Sequence, residues 1–150
     1  MTKEEKFKIL IQRGYVYNPE SGLVYNRFGK LISIKNVNNG YLMFGTSINN
    51  KHFTVSIHQF AWYCVYKECV KMIDHINRNK TDNKITNLRS VTRNQNMWNL
   101  NCKGYTYHKK SNKWQAQILI YRKFKYLGLF KTEEEARNAY LAAKQIYHVI

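Results

Sequence analysis

Apolar positions near the start of the chain fall at Phe7, Ile9, Leu10 and Ile11, with Thr2 and Glu5 ahead of them and Gly14 behind. A Thr followed three residues later by Glu can cap a helix start reciprocally, and Gly stops one, so a short helix is expected over residues 2–14. The period then changes. Residues 15–17, 23–26 and 30–33 are short β-type runs separated by Asn18-Pro19-Glu20-Ser21-Gly22 and by Phe28-Gly29. Residues 41–47 and 52–57 make a further pair across Asn49-Asn50. Turn residues between alternating runs predict hairpins, here joined in one small antiparallel sheet.

Helical spacing returns over residues 57–68, with Phe60, Ala61, Cys64 and Val65 on one face. Residues 71–76 and 88–91 read as strands on either side of a polar loop, 77–84, whose Asn and Asp side chains can cap their own turns. Thr92 and Gln95 form a capping-box pair and predict a short helix carrying Asn96. From Lys103 the pattern changes again. Residues 104–108, 114–120 and 125–130 read as three strands, with turns at 109–113 and 121–123. Thr132 to Glu135 then opens a helix with Ala136, Ala139, Tyr140, Ala143 and Tyr147 on its inner face. At 150 residues the chain has room for two small cores. The expected division is 1–102 and 103–150, with Asn99, Asn101 and Lys103 in a short polar connector.

Charge narrows the partner. The formal net charge is +16, from 25 Lys and Arg against 9 Asp and Glu, which favours a polyanion such as double-stranded DNA. Residues 103–150 hold 10 basic and 3 acidic side chains, and the acids gather at the start of the last helix. Membranes are anionic too, but no apolar run is long enough to span one and the first five residues are polar, so a soluble, cytoplasmic protein is expected. Cys64, Cys69 and Cys102 form no paired ligand spacing. They are expected to be free thiols, with no structural zinc.

The candidate chemistry lies between Met72 and Asn99. Asp74 and Asn96 offer a carboxylate and an amide oxygen for a hard divalent cation, and His75 offers an imidazole to take a proton from water. A strand, a loop, a second strand and a helix would bring the three together. Mg²⁺ is the expected ion, with Mn²⁺ as the alternative, because two protein ligands and several waters suit either.

The string Asp74-His75-Ile76-Asn77, Asn83, Asn87-Leu88, Val91-Thr92 and Asn94-Gln95-Asn96 resembles the HNH endonucleases, particularly the phage and intron-encoded homing group. The resemblance implies a ββα-metal unit over about residues 71–100, with Asp74 and Asn96 as metal ligands and His75 as general base. It also implies that Asn87 braces the loop between the strands. Many members carry His where this chain has Asn96. The segment Ile57-His58-Gln59-Phe60-Ala61-Trp62 corresponds to the helix leading into the HNH strands, and His58 stays outside the catalytic set.

Gly104-Tyr105, Trp114-Gln115-Ala116, Leu127-Gly128-Leu129-Phe130, Glu134-Glu135-Ala136 and Ala139-Tyr140 resemble the plant ethylene-response-factor (APETALA-type) DNA-binding domain, over about 103–148. That family lays a three-stranded sheet in the major groove. By position, Thr106, His108, Lys110, Gln117 and Tyr126 would read DNA, with Lys103 and Lys125 toward phosphate. Thr106 and Leu119 stand where arginine often reads guanine, so the plant recognition sequence does not transfer. Trp114, Leu127 and Phe130 are expected in the core.

The expected fold class is α+β: a small antiparallel sheet and helix leading into a ββα-metal unit, then a βββα DNA-binding domain. The expected function is a metal-dependent, site-preferring homing endonuclease of a phage or prokaryotic cell, monomeric and nicking one strand. The alternative is a non-cleaving DNA-binding regulator that retains an HNH fold. RNA binding ranks third, because no stacking motif of the common RNA modules is visible.

Overall fold

The computed structural model describes residues 1–36 and 39–148. The chain combines helices with small antiparallel sheets, an α+β arrangement, and divides into two compact units, Met1–Thr92 and Arg93–Ile150.

The first unit opens with α1 (Lys3–Gln12), where the Thr2 hydroxyl accepts from the Glu5 N–H and the Glu5 carboxylate accepts from the Thr2 N–H. Two sheets follow where the sequence suggests one. The strands β1 (Val16–Asn18) and β2 (Leu23–Tyr25) pair with each other, and β3 (Lys35–Asn36), β4 (Leu42–Ile48) and β5 (Lys51–Ser56) form a separate sheet in that order. The expected strand at 30–33 is reduced to one bridge between Tyr25 and Leu31. The reason lies in Asn26, whose side-chain oxygen accepts from the N–H groups of Phe28 and Lys30 and curls the chain into a tight turn. The hairpin across Asn49 and Asn50 forms as expected, with both residues left-handed at φ 49° and 59°.

The helix α2 (Ile57–Tyr66) runs through the core rather than over it. Ile57, His58, Phe60, Ala61, Trp62 and Tyr63 are all buried, whereas Val65, expected inside, is exposed. The helix stops two residues earlier than expected because Lys67 takes a left-handed conformation and its N–H bonds to the Tyr63 carbonyl. The Phe60 ring meets Phe7 and Phe44 edge-on, at 5.7 and 5.9 Å between centroids, so α1, α2 and β4 share one core. The strands β6 (Ile73–His75) and β7 (Leu88–Ser90) pair antiparallel and contribute Ile73 and Leu88 to that core. A 3-10 turn, Ile85–Asn87, leads into β7.

The second unit contains α3 (Arg93–Trp98), a sheet of β8 (Tyr105–His108), β9 (Lys113–Ile120) and β10 (Lys123–Phe130) with β9 central, and α4 (Glu133–Tyr147). The capping box of Thr132 and Glu135 starts α4. Alternate residues of β9 face the helix. Ala116 and Ile118 are buried, with Tyr105 from β8 and Ala136, Tyr140 and Ala143 from α4, while Trp114, Leu127 and Phe130 pack around them as expected of core residues. Gly104 is needed at the entry to β8: its φ is +75°, and a Cβ there would lie 2.0 Å from the Tyr140 ring.

Candidate active site

Two neighbours in β6 are the candidate chemical groups of the first unit. Register sets Asp74 opposite Arg89 and His75 opposite Leu88. Strand alternation sends adjacent side chains to opposite faces, so Asp74 and His75 meet different partners. One oxygen of Asp74, Oδ2, accepts from Arg89 Nε at 3.0 Å and Nη2 at 2.8 Å. The carboxylate is 8% exposed, so this pairing offsets the cost of burying its charge.

His75 is 3% exposed, and its Nε2 lies 3.2 Å from Asn83 Oδ1. The Asn83 amide nitrogen donates to the Thr81 carbonyl, which fixes which end of that amide is oxygen. Nε2 therefore carries the proton, and the basic lone pair belongs to Nδ1. Burial lowers the pKa of His75, against the opposing effects of the Asn83 hydrogen bond and of Asp74 and Asp82. A lowered pKa favours the neutral imidazole, which is the form a general base needs.

Asn83 is itself held from a distance. Tyr17 of β1 donates to its backbone carbonyl at 2.7 Å, and Ile85 N–H bonds to the Pro19 carbonyl, fastening the 18–22 turn against the loop. Asn87 fastens the other end. Its Oδ1 accepts from Asn77 N–H at 2.9 Å and its Nδ2 donates to the Asp82 carbonyl at 2.8 Å, so one buried amide spans the 77–84 loop. Among the residues that hold the site, Asn83, Tyr17 and Arg89 were not singled out for such roles from sequence. Asn83 stood in the HNH-like string and could have been found there. Tyr17 carries no local signal at all.

Behind His75 lies His58 of α2, with ring centroids 5.5 Å apart, and Tyr41 lies 5.8 Å from His75 and 4.9 Å from His58. Burial, with the charges of His75 and Lys3, lowers the His58 pKa to about 4, and its Nδ1 is buried without a hydrogen-bond partner.

Asn96 lies on α3, in the second unit. Among the described residues no group of three or more His, Cys, Asp or Glu side chains is arranged to hold a metal. The donors singled out for a cation are one carboxylate and one amide, both hard oxygen ligands, whose chemistry fits Mg²⁺ or Mn²⁺ completed by water.

The open face of the second sheet presents Thr106 opposite Gln115 and Gln117 opposite Tyr126, with Thr106 and Tyr126 exposed. Lys103 and Lys110 are exposed outside the strands, and His108 bonds through Nδ1 to Ser111 Oγ at 2.9 Å. Lys125 is placed differently. Its register partner is Ile118, on the helix side, and its ammonium lies over the Tyr147 ring of α4, 4.4 Å from the centroid.

Residues 57–98 match the family model described as HNH endonuclease. That segment holds α2, β6, β7 and α3, and with them His58, Asp74, His75, Asn83, Asn87 and Asn96. Among solved structures, the chain is similar to one described as "DNA binding and cleavage by the HNH homing endonuclease I-HmuI", at 28% identity and a TM-score of 0.48, over 57% of this chain and 50% of that one. The chain thus spans half the length of that protein where they match. No curated protein matches the chain. The family match ends at Trp98, so the likeness of residues 103–148 to the ethylene-response-factor domain rests on sequence motifs.

Proposed function

We propose that this chain is a metal-dependent, site-preferring DNA endonuclease of the homing type that nicks one strand by phosphodiester hydrolysis. The observation that carries it is His75: buried, fixed through Nε2 by Asn83, next to Asp74, within the segment matching HNH endonucleases.

In this reading His75 Nδ1 takes the proton from the attacking water. The water oxygen bonds to phosphorus as the bond to the 3′ oxygen breaks, leaving a 5′-phosphate and a 3′-hydroxyl. Asp74, paired with Arg89, and Asn96 are the residues that would hold the cation, and the cation would supply charge stabilisation to the phosphate and leaving oxygen. Asn87 keeps the 77–84 loop folded so that Asn83 stays against His75. Residues 1–102 form the nuclease domain and 103–150 the DNA-binding domain, where Thr106, His108, Lys110, Gln117 and Tyr126 face the groove and Lys103 faces phosphate, while Lys125, lying over Tyr147, is left out of the contact set. The protein acts as a monomer, so a single centre reaches one strand per binding event.

Supercoiled plasmid with Mg²⁺ or Mn²⁺ tests the reading. Open circular product should precede linear product, and chelation should abolish it. His75→Ala should bind DNA yet cut about 10² to 10⁴ times more slowly. Asp74→Ala should lose the metal response. Cutting at wild-type rate by either variant overturns the mechanism, and binding without cutting by the wild type favours the non-cleaving regulator.

A further inference from the structure

The second unit contains a cavity of about 200 Å³ lined by Arg93, Asn94, Met97 and Trp98 of α3 and by Leu119, Tyr121 and Arg122 at the β9–β10 turn. We propose that this cavity holds one unstacked nucleotide of the DNA strand, its base against Trp98 and Tyr121 and its phosphate against Arg93 and Arg122. The proposal rests on the reading that this unit binds DNA and adds a site to it.

Four observations carry it. The lining combines two guanidiniums, two aromatic rings and no acid, which suits a planar base joined to a phosphate. The volume lies below the roughly 300 to 1,000 Å³ of cavities that enclose drug-sized ligands and is on the scale of a single base. The Trp98 ring is held: it stacks on His148 at 5.1 Å and 8°, meets Tyr121 edge-on at 5.9 Å, and His148 Nε2 bonds to the Leu119 carbonyl. A fixed indole loses little entropy on stacking.

The turn itself is the fourth. Tyr121 and Arg122 both stand at positive φ, 45° and 69°, in a two-residue hairpin turn that Asn-Gly would make without strain. Large side chains kept in that conformation at the mouth of a cavity point to a use for the side chains. Tyr121 is 69% exposed, and Leu119, which lines the cavity, pairs across the sheet with Phe124, also 69% exposed. An aromatic path therefore leads from the open face of the sheet to the cavity.

On α3 (Arg93–Trp98) the cavity-lining residues and Asn96 fall on different sides of the helix. At 100° per residue, Arg93, Asn94, Met97 and Trp98 share one side of the helix and Asn96 lies on the other. A nucleotide in the cavity is then about one helix diameter, roughly 10 Å, from Asn96, or about three steps of a stacked strand at ~3.4 Å each.

The test uses the full chain and fluorescently labelled oligonucleotides of one sequence: a fully paired duplex, the same duplex with a central run of mismatches, and the single strand. Wild type should bind the mismatched duplex and single strand at least as well as the paired duplex. Tyr121→Ala should weaken the first two by about 5- to 100-fold, the worth of one base stack, and leave the paired duplex within about twofold. Trp98→Ala should do the same, and Arg122→Ala should reduce the salt dependence of single-strand binding by about one phosphate. Because the Tyr121 side chain is exposed, its removal keeps the fold, which a thermal melt checks. Equal loss on paired and unpaired DNA, or no loss, overturns the cavity while leaving DNA binding intact. Absence of binding to any of the three probes overturns both readings.

Discussion

Tyr17 donates a 2.7 Å hydrogen bond to the main-chain carbonyl of Asn83, across 66 positions of sequence. The same asparagine meets His75 Nε2 with its side chain, so a strand of the N-terminal hairpin sets the orientation of the candidate base. Tyr17→Phe leaves a buried carbonyl without its donor, at a cost of about 1 to 3 kcal/mol. The expected outcome is that loss in urea unfolding, with slower plasmid nicking and unchanged DNA affinity. Nicking at the wild-type rate would show that Asn83 does not depend on Tyr17.

Gly22 supports the same contact from the other side. Its φ is +74°, and a Cβ would stand 2.6 Å from Lys84 N and 2.7 Å from the Asn83 carbonyl carbon. Gly22→Ala must push the loop that carries Asn83, costing about 1 to 3 kcal/mol and slowing cleavage. Gly45→Ala is the control, because nothing lies within 4 Å of its added Cβ and that residue is not at positive φ. It should change stability by about 0.5 kcal/mol or less.

The Arg89 and Asp74 pair predicts a coupling. Arg89→Met leaves a nearly buried carboxylate without its cation and should destabilise the first unit by several kcal/mol, up to about 3 to 5. The double variant Arg89→Met with Asp74→Asn should recover part of that loss. A double-mutant cycle on thermal or urea unfolding measures it, and additivity would mean that the two side chains act independently.

Acid should destabilise the fold through His58. Its pKa is near the ordinary 6.5 when unfolded and about 4 when folded, because burial disfavours the charged ring. Above pH 6.5 both states are neutral and nothing changes. Between pH 6.5 and 4 only the unfolded chain takes the proton, so stability falls, by about 3 kcal/mol once pH 4 is passed. His75, shifted in the same direction, adds to the slope. Unfolding followed from pH 7.5 to 4 should therefore be less pH-dependent in His58→Gln, and an unchanged slope would assign the acid sensitivity elsewhere.

Local signals sufficed for much of this protein. The capping boxes at Thr2 and Thr132, the Asn49-Asn50 hairpin and the sheet-facing Ala136, Tyr140 and Ala143 of α4 follow from rules that operate within a few residues, and the structure has each of them. The placement of Asp74 and His75 on one strand was legible for the same reason: neighbours in sequence need only a strand to present them. Asn87 was legible as a brace through its place in the HNH-like string.

Tertiary structure decided what depends on closing long loops. The N-terminal strands separated into two sheets because Asn26 turned the chain, a side-chain hydrogen bond that outweighs a weak strand pattern at 30–33. His58, on an apolar helix, became a buried neutral imidazole only because α2 lies inside the core with Tyr41 and His75 against it. Lys125 came to lie on Tyr147 rather than toward an open face because its register partner in β9 is Ile118. The support of His75 by Tyr17 through Asn83 is of the same kind. Sequence patterns report which face a residue occupies within one element, whereas partners 66 positions apart are chosen by the packing of whole elements.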